Sequence, residues 1–306
     1  MSIGAACPSE SRSFDGVTTA AVIVTILAWA SAFPAIRAGL QAFGPIELGA
    51  LRFAVAALPA ALFLIVTRPA WPTLADFLRL AAGGILFVAL YTALLNMGEM
   101  TVSAGAASFI INTNPIMTAG LAMLVLGERF SARAWAGTGL SFAGIGLIAL
   151  GEGDGMRLDT GALLILGAAL CTSVTTILQK PLFARHKPLT VSAWNMVLGA
   201  LVLAPWLPSG AGQFAVAPSS GVQAVIYLGL VPSLVAYGTW AIALSRLPAS
   251  RASNFMYCVP PVATLLGFLW LGEVPTMLGA IGGVMALVGV AVVNWRRNGK
   301  PLPSGR

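Results

Sequence analysis

The sequence is a succession of long apolar runs, separated by short segments that hold most of its charges. About 20 apolar residues cross the hydrocarbon core of a bilayer as a helix, and runs of this length recur along the whole chain. Hydrophobic residues make up 58% of the 306 residues and charged residues only 9%, whereas a soluble domain usually has roughly 25% charged residues. So few charges could not cover the surface of a soluble globule. The chain is therefore predicted to be an all-α integral membrane protein.

Dividing the chain at glycines, prolines and charge clusters indicates ten transmembrane helices. The connecting segments are short, so consecutive helices are expected to run antiparallel, with no domain outside the membrane. The predicted spans are Thr18–Leu40, Ile46–Thr67, Asp76–Gly98, Ser103–Leu126, Ala132–Leu150, Thr160–Phe183, Thr190–Leu207, Gly221–Leu244, Ala249–Leu271 and Thr276–Trp295.

The positions of lysine and arginine predict the orientation of these spans. If the N-terminus is cytoplasmic, fourteen of the seventeen basic residues lie on the cytoplasmic side. Arg37 and Arg157 then lie on the outer side, and Arg52 lies inside the second span. Short cytoplasmic loops are enriched in Lys and Arg. Both termini are thus expected to be cytoplasmic, and the protein is expected to be a multi-pass protein of the cell inner (plasma) membrane.

A Leu-Gly-Glu motif ends at Glu128 and returns 145 residues later, ending at Glu273. The same shift aligns ten positions of the first half, namely Ala104, Ala107, Ser108, Pro115, Leu121, Leu124, Gly127, Glu128, Gly137 and Gly144, with identical residues of the second half. The chain is therefore interpreted as a duplicated five-helix unit. Because five is odd, the second copy must cross the membrane in the opposite sense, which is a transporter architecture.

This interpretation divides the chain into four parts. Residues 1–16 are a predicted cytoplasmic tail, 17–151 the first five-helix repeat, 159–296 the second repeat, and 297–306 a cytoplasmic C-terminal tail.

The duplicated motif itself predicts a helix corner. Gly127 and Gly272 suit the left-handed conformation that ends a helix, and Glu128 and Glu273 return the chain to water. Two interpretations stay open: a corner that touches no substrate, or a gate.

Two aligned prolines, Pro115 and Pro260, fall near the middle of their spans. A proline inside a helix removes a hydrogen bond and clashes with the carbonyl four residues earlier. Kinks are therefore expected, freeing the carbonyls of Ile111 and Met256 towards a cavity. Each kink is interpreted either as a fixed structural feature or as a hinge.

Polar and amphipathic aromatic side chains within spans are unfavourable in lipid unless they face protein or water. Aromatic faces attract cations, so a pocket lined by such residues would suit a small amphipathic solute that carries an ammonium group. Ordinary helix packing is the alternative for each single residue. The candidate substrate-binding residues are Trp29, Tyr91, Asn112, Thr175, Trp194, Tyr237 and Tyr257.

Arg52 is a charge well inside a span. Three roles are open: it snorkels to the outer surface, it pairs with Glu47 or Glu99, or it holds a substrate carboxylate.

The sequence resembles the EamA branch of the drug/metabolite transporter superfamily. The resemblance rests on WASAFPAIRAGL (Trp29–Leu40), ELGALRF (Glu47–Phe53), AGAASFIINTNPIMTAGLAMLVLGE (Ala104–Glu128) and its repeat copy ASRASNFMYCVPPVATLLGFLWLGE (Ala249–Glu273). It covers nearly the whole chain. It implies an inverted 5+5 bundle around a central cavity, a secondary carrier exporting amino acids or related metabolites, and no metal, nucleotide or covalent cofactor.

Together these features predict a secondary transporter that moves small metabolites by alternating access, with export as the favoured direction. No Asp or Glu lies in the middle of a span, so transport is expected either to be facilitated diffusion or exchange, or to be coupled through Glu47 or Glu99. A passive channel or facilitator is the alternative.

Other classes of protein lack their sequence signals here. There is no HExxH motif, no acidic diphosphate-binding cluster and no buried histidine beside a serine, which argues against an intramembrane enzyme. The basic residues are scattered and the three cysteines lack metal-ligand spacing, so neither a nucleic-acid partner nor a metal is expected. The expected partners are a small-molecule substrate and the lipid bilayer, for a monomer or homodimer.

Overall fold

The computed structural model describes residues 16–126, 132–152, 159–247 and 255–294, and it is built from helices with no strand inside those ranges. In chain order, the α-helices α1 to α15 are Gly16–Ala30, Ala32–Leu40, Pro45–Thr67, Leu74–Gly83, Tyr91–Gly98, Ala104–Ile111, Asn114–Leu126, Ala132–Glu152, Thr160–Gln179, Pro188–Leu203, Leu207–Val216, Ser219–Leu230, Ala236–Arg246, Val259–Leu271 and Met277–Asn294.

Within the described part of the chain, six helical stretches are long and apolar enough to cross a membrane. Two shorter apolar helices, Met256–Leu271 and Met277–Val292, accompany them. The prediction of an all-helical, multi-pass membrane protein is thereby confirmed, while the count of ten crossings stays a prediction. The six long stretches are Gly16–Leu40, Pro45–Thr67, Leu74–Gly98, Thr160–Ala184, Pro188–Val216 and Ser219–Trp240.

Two of the long stretches contain a segment of wider, π-helical turns. These segments are Gly84–Leu90 and Val231–Val235, and shifting the second back by 145 residues places it inside the first. Pro232 explains the later one, because it has no N–H to give to a regular helix. Such π segments are frequent at functional sites.

The predicted kinks at Pro115 and Pro260 are located differently in the structure. Helix α6 ends at Ile111, and the break at Asn112 and Thr113 comes before Pro115, which lies in the first turn of α7. Pro260 likewise lies in the first turn of α14, after the short 3-10 turn Met256–Cys258. Proline is tolerated in a first turn, where its missing N–H would have no partner in any case. The expectation of a freed Met256 carbonyl was wrong, because that oxygen accepts the N–H of Val259.

Contacts between helices repeat when the two halves of the chain are exchanged. Helix α3 packs on α10 and α8 packs on α15, which are the second and the fifth predicted helices of the two halves. The first span contacts α12 and α13, and its counterpart α9 contacts α5 and the segment Gly84–Leu90. The halves are therefore interlocked around one centre.

Helices α8 and α15 approach each other closely through small residues. A Cβ atom on Gly144 would overlap the carbonyl oxygen of Gly282, and a Cβ atom on Gly282 would overlap that of Gly144. The Ser141 hydroxyl donates to the Ala286 carbonyl over 3.1 Å. Small residues permit this close backbone contact in lipid.

The second Leu-Gly-Glu motif forms the end of α14. Gly272 has a φ of 69° and a ψ of 17°, the left-handed conformation that favours glycine. The Thr276 hydroxyl accepts the N–H of Gly279 at the start of α15. The first copy, Gly127 and Glu128, lies outside the described residues.

Candidate functional site

A cavity of about 390 Å³ lies in the centre of the bundle and is walled by both halves of the chain. The first half supplies residues from α1 to α3, from Gly84–Leu90, from α5, and from the break between α6 and α7 with the helix ends beside it. The second half supplies α9, α10, the segment Val231–Val235, α13 and the start of α14. This volume falls at the small end of ligand pockets, which range over roughly 300–1,000 Å³. The cavity is thus suited to a small solute.

Aromatic side chains form one wall of this cavity. The Trp29 ring centroid lies 5.7 Å from that of Tyr237, edge to face, and 5.6 Å from that of Trp240. Phe87 continues the wall, with centroids 5.9 Å from Tyr91 and 6.3 Å from Tyr237. These spacings are typical of attractive aromatic pairs. The wall offers apolar faces with hydroxyl and indole groups at its edges.

The π segment Val231–Val235 holds Trp29 in place. The indole N–H of Trp29 donates to the carbonyl oxygen of Pro232 over 3.3 Å. The helix irregularity at Pro232 therefore provides an acceptor for a polar group that would otherwise be buried without one.

Arg52 lines the cavity and is only 9% exposed. Its Nε donates to the Ser233 hydroxyl over 3.3 Å, and its guanidinium lies 5.1 Å from the centroid of the Phe53 ring. Two of the predicted roles, snorkelling and an ion pair with Glu47 or Glu99, are not what the structure shows. The reason is packing: a Cβ on Gly229 would lie 2.9 Å from the Arg52 carbonyl oxygen, so α12 covers this part of α3 and places Ser233 beside the guanidinium.

Polar side chains elsewhere on the wall are bonded mainly to the protein. The Asn114 amide oxygen accepts from Ser173 over 2.6 Å and from Thr118 over 3.0 Å. Asn195 and Gln179 exchange two hydrogen bonds of 2.8 and 3.1 Å. These pairs stabilise the wall and fix its shape.

Of the seven predicted substrate-binding residues, four line the cavity: Trp29, Tyr91, Asn112 and Tyr237. The other three lie elsewhere. Thr175 is buried and donates to the Cys171 carbonyl within α9. Trp194 packs edge to face on Trp71, and Tyr257 lies half-buried in the turn Met256–Cys258.

Several wall residues were not predicted as site residues, among them Phe87, Val88, Pro232 and Ser233. These four lie in the two π segments, and the first of these segments has the composition of an ordinary apolar helix. The sequence signal that could have indicated a π segment was Pro232 inside the eighth predicted span. It indicates only Val231–Val235, because Gly84–Leu90 contains no proline.

A cluster of charged residues lies at one end of the bundle. The Arg37 Nε is 2.7 Å from the Glu273 Oε1, and the second oxygen of Glu273 accepts the N–H of Ala104 over 2.8 Å. Arg37 also donates to the backbone carbonyl of Glu99. The Glu99 carboxyl is fully buried, and neither of its oxygens has a hydrogen-bond partner among the described residues. We call Arg37, Glu99 and Glu273 the glutamate cluster.

A second cluster lies around Asp76, whose side chain is 1% exposed. Its carboxylate is 3.1 Å from Arg185, 3.4 Å from His186 and 3.5 Å from Arg79. Asp76 lies in the first turn of the stretch Leu74–Gly98, and Glu99 directly follows its last residue. The 23 residue steps between the two, at 1.5 Å each, correspond to roughly 34 Å. The aspartate cluster (Asp76, Arg79, Arg185 and His186) is thus at the opposite end of the bundle. Glu47 belongs to neither cluster and accepts from Ser209 over 3.2 Å.

Fold and site together define a multi-pass helical membrane protein with a solute-sized cavity between two halves. Comparison with known sequences agrees: the EamA-like transporter family matches residues 17–150 and 159–295. The chain belongs to this family.

Individual relatives share almost the full length of the chain. A protein of Streptantibioticus cattleyicolor, named a probable terminal-alkyne amino-acid exporter, is 37% identical over 92% of this chain and 94% of its own. An Escherichia coli protein, named a probable amino-acid metabolite efflux pump, is 26% identical over 92% of this chain and 97% of its own. One solved crystal structure shares the fold with a TM-score of 0.59 at 22% identity, over 90% of this chain and 95% of its own.

Membership of this family identifies the chain as a transporter.

Proposed function

We propose that this protein exports amino acids or closely related amphipathic metabolites across the cell inner membrane by alternating access. The observation that carries the proposal is the central cavity, because one solute-sized space is walled by both halves of the chain. Such a space is reached from either side when the halves move relative to each other. The names of the S. cattleyicolor and E. coli relatives favour amino acids as the class of cargo.

The proposed architecture is a ten-helix bundle of two inverted five-helix repeats, residues 17–151 and 159–296, with cytoplasmic tails. Three features support it: the 145-residue repeat, the matched π segments, and contacts that recur when the halves are exchanged. An odd number of helices in each repeat then gives the two halves opposite directions.

Alternating access needs a closure at each end of the cavity. The glutamate cluster links Arg37 of the first half to Glu273 of the second, and the aspartate cluster links Asp76 to Arg185 and His186. Each cluster is therefore a candidate gate that joins the halves at one end. The breaks before Pro115 and Pro260 are candidate hinges, because a helix interrupted there can bend without losing regular hydrogen bonds.

The cavity wall suits the proposed cargo. Trp29, Tyr91 and Tyr237 present ring faces to an apolar body or an ammonium group. Asn112 adds an amide to the wall.

The source of energy is open between two forms of transport. Glu99 is a buried carboxyl whose oxygens have no described partner, and ionising such a group is unfavourable unless its surroundings change. Glu99 and Glu47 are therefore the candidate proton carriers. Facilitated diffusion or exchange is the alternative.

Purified protein in liposomes tests whether the protein is a carrier and whether transport is coupled to protons. We expect labelled amino acid inside the vesicles to leave faster when unlabelled amino acid is added outside, since exchange is a property of carriers. Efflux unaffected by added solute indicates a passive channel. Export driven by a pH gradient in the wild type and lost in Glu99→Gln or Glu47→Gln indicates proton coupling, whereas indifference to the gradient indicates facilitation.

A further inference from the structure

Arg52 carries a buried charge that the protein does not neutralise within the described residues. Its side chain is nine-tenths buried, and no carboxylate of the described residues lies within 4.0 Å of it. Burying an isolated charge is unfavourable unless the charge is paired and hydrogen-bonded. Among the described residues, this guanidinium therefore has no carboxylate in direct contact with it.

The hydrogen bond that Arg52 makes leaves its terminal nitrogens available. Ser233 accepts from Nε, and neither Nη atom bonds to a described residue. Ser233 in turn donates to the Leu228 carbonyl over 2.9 Å, which holds its hydroxyl in place. The Phe53 ring lies against the guanidinium. Ser233 thus holds the Nε edge of the guanidinium and Phe53 covers one of its faces, while its two Nη atoms have no hydrogen-bond partner among the described residues.

The surroundings of the guanidinium are apolar and aromatic rather than acidic. Phe53, Tyr91 and Tyr237 line the same cavity as Arg52, and none of the described residues that line it is an aspartate or a glutamate.

We propose that Arg52 binds the carboxylate of the transported solute through its two Nη groups. A guanidinium presents parallel N–H groups that match the two oxygens of a carboxylate, a geometry that lysine cannot provide. The solute's apolar body would then lie on the wall formed by Trp29, Phe87 and Tyr237. This assignment rests on the proposed function and narrows its cargo to monocarboxylates with an apolar body, excluding amines that lack a carboxylate.

Four probes of similar shape separate the two ends of the solute: L-phenylalanine, L-phenylalaninamide, phenethylamine and 3-phenylpropionate. We expect the two carboxylates to bind purified wild-type protein about tenfold or more tighter than the amide and the amine. This corresponds to one or two hydrogen bonds to a charged group. The comparison uses the wild type alone, so it does not depend on whether any variant folds.

Three variants locate the effect. Arg52→Gln is expected to remove the preference for carboxylates, and Arg52→Lys to weaken it. Arg68→Gln, an identical change at the exposed end of the same helix, is expected to leave it unchanged. The assignment would be overturned if the wild type bound acids and amines equally, or if Arg52→Gln kept the preference for carboxylates. The proposed function would still stand in either case, provided that the wild type transports amines of this kind. Failure of the wild type to transport any amino acid or related amine would overturn both.

Discussion

The guanidinium Nε of Arg37 lies 2.7 Å from the Oε1 of Glu273, and 236 residues of sequence separate the two. The same carboxylate accepts the N–H of Ala104 at the start of α6. The second Leu-Gly-Glu motif is therefore more than the end of a helix. Its glutamate ties together three segments, two from the first half and one from the second, at one end of the cavity.

Replacing Glu273 by glutamine is expected to loosen this end. Glutamine keeps an oxygen for the Ala104 N–H but loses the charge that attracts Arg37. Because both side chains are partly exposed (27% and 16%), the loss of stability should stay below about 1 kcal/mol. The change in access should be larger than the change in stability.

Access is measured by the rate at which a maleimide that cannot cross membranes labels Ser192→Cys, a cavity residue. The background lacks the three native cysteines. We expect Glu273→Gln to raise labelling severalfold from the side of the glutamate cluster only. An unchanged rate, or a rise from the opposite side, would contradict its role as a gate.

Asp76→Asn is expected to produce the opposite shift. Asp76 is almost fully buried and is in contact with Arg185, His186 and Arg79, so removing its charge leaves three basic groups without their carboxylate. Labelling of Ser192→Cys should then rise from the side of the aspartate cluster. The melting temperature should fall, since asparagine keeps the hydrogen-bonding oxygen but loses the charge that attracts Arg185, His186 and Arg79.

Asp159→Asn is the matched control for Asp76→Asn. Asp159 caps α9 by accepting the N–H of Ala162, and the same oxygen accepts from the Thr101 hydroxyl over 2.9 Å; the amide oxygen of asparagine can accept both hydrogen bonds, so only the charge is lost. The control should change neither labelling nor melting temperature. A similar effect of both substitutions would show that the aspartate cluster has no special role.

Gly144→Ala is expected to destabilise the protein strongly, whereas Gly139→Ala on the same helix should be neutral or slightly stabilising. A Cβ at 144 would overlap the backbone of α15, and a Cβ at 139 would meet nothing within 4 Å. Overpacking of this kind costs about 1–3 kcal/mol. Thermal unfolding in detergent, followed by loss of the monodisperse peak, compares the two. Equal melting temperatures of the two variants would show that the α8–α15 contact does not contribute to the stability of the fold.

Substitutions of two tryptophans test which residues contribute to solute binding: Trp29 lines the cavity, and Trp194 does not. Trp29→Ala removes the centre of the aromatic wall and is expected to weaken solute binding at least tenfold, and Trp29→Phe should weaken it less because a ring remains. Trp194→Ala should leave affinity unchanged, since Trp194 packs on Trp71 away from the cavity. Binding to purified protein measures both. A larger effect at Trp194 would support its sequence-based interpretation as a substrate residue.

Much of the fold could be predicted from sequence because hydropathy is a local property. The six long apolar stretches agree with predicted spans to within a few residues at most ends, although Pro188–Val216 runs nine residues beyond its predicted end. The π segments could not be predicted, because Gly84–Leu90 has the composition of an ordinary apolar helix. The helix break lies before Pro115 rather than at it, because proline is tolerated in the first turn of a helix but not in a helix interior.

The candidate site was only partly predictable, and Arg52 shows why. Its environment depends on Ser233, which lies 181 residues away, and on the close approach of α12 at Gly229. Trp29 and Trp194 are alike in sequence terms, since both are aromatic residues inside apolar runs. The rotation of each helix about its own axis, relative to its neighbours, places Trp29 in the cavity and Trp194 outside it.

The sequence by itself determined that this chain is a helical membrane protein, where its long apolar stretches lie and that one block recurs after 145 residues, because run length, composition and repetition can be counted along the chain. The tertiary structure decided which side chains share the cavity, which carboxylate contacts Arg37 and why no carboxylate of the described residues contacts Arg52. Those outcomes depend on how helices far apart in sequence rotate and pack against one another, and no local pattern records that rotation.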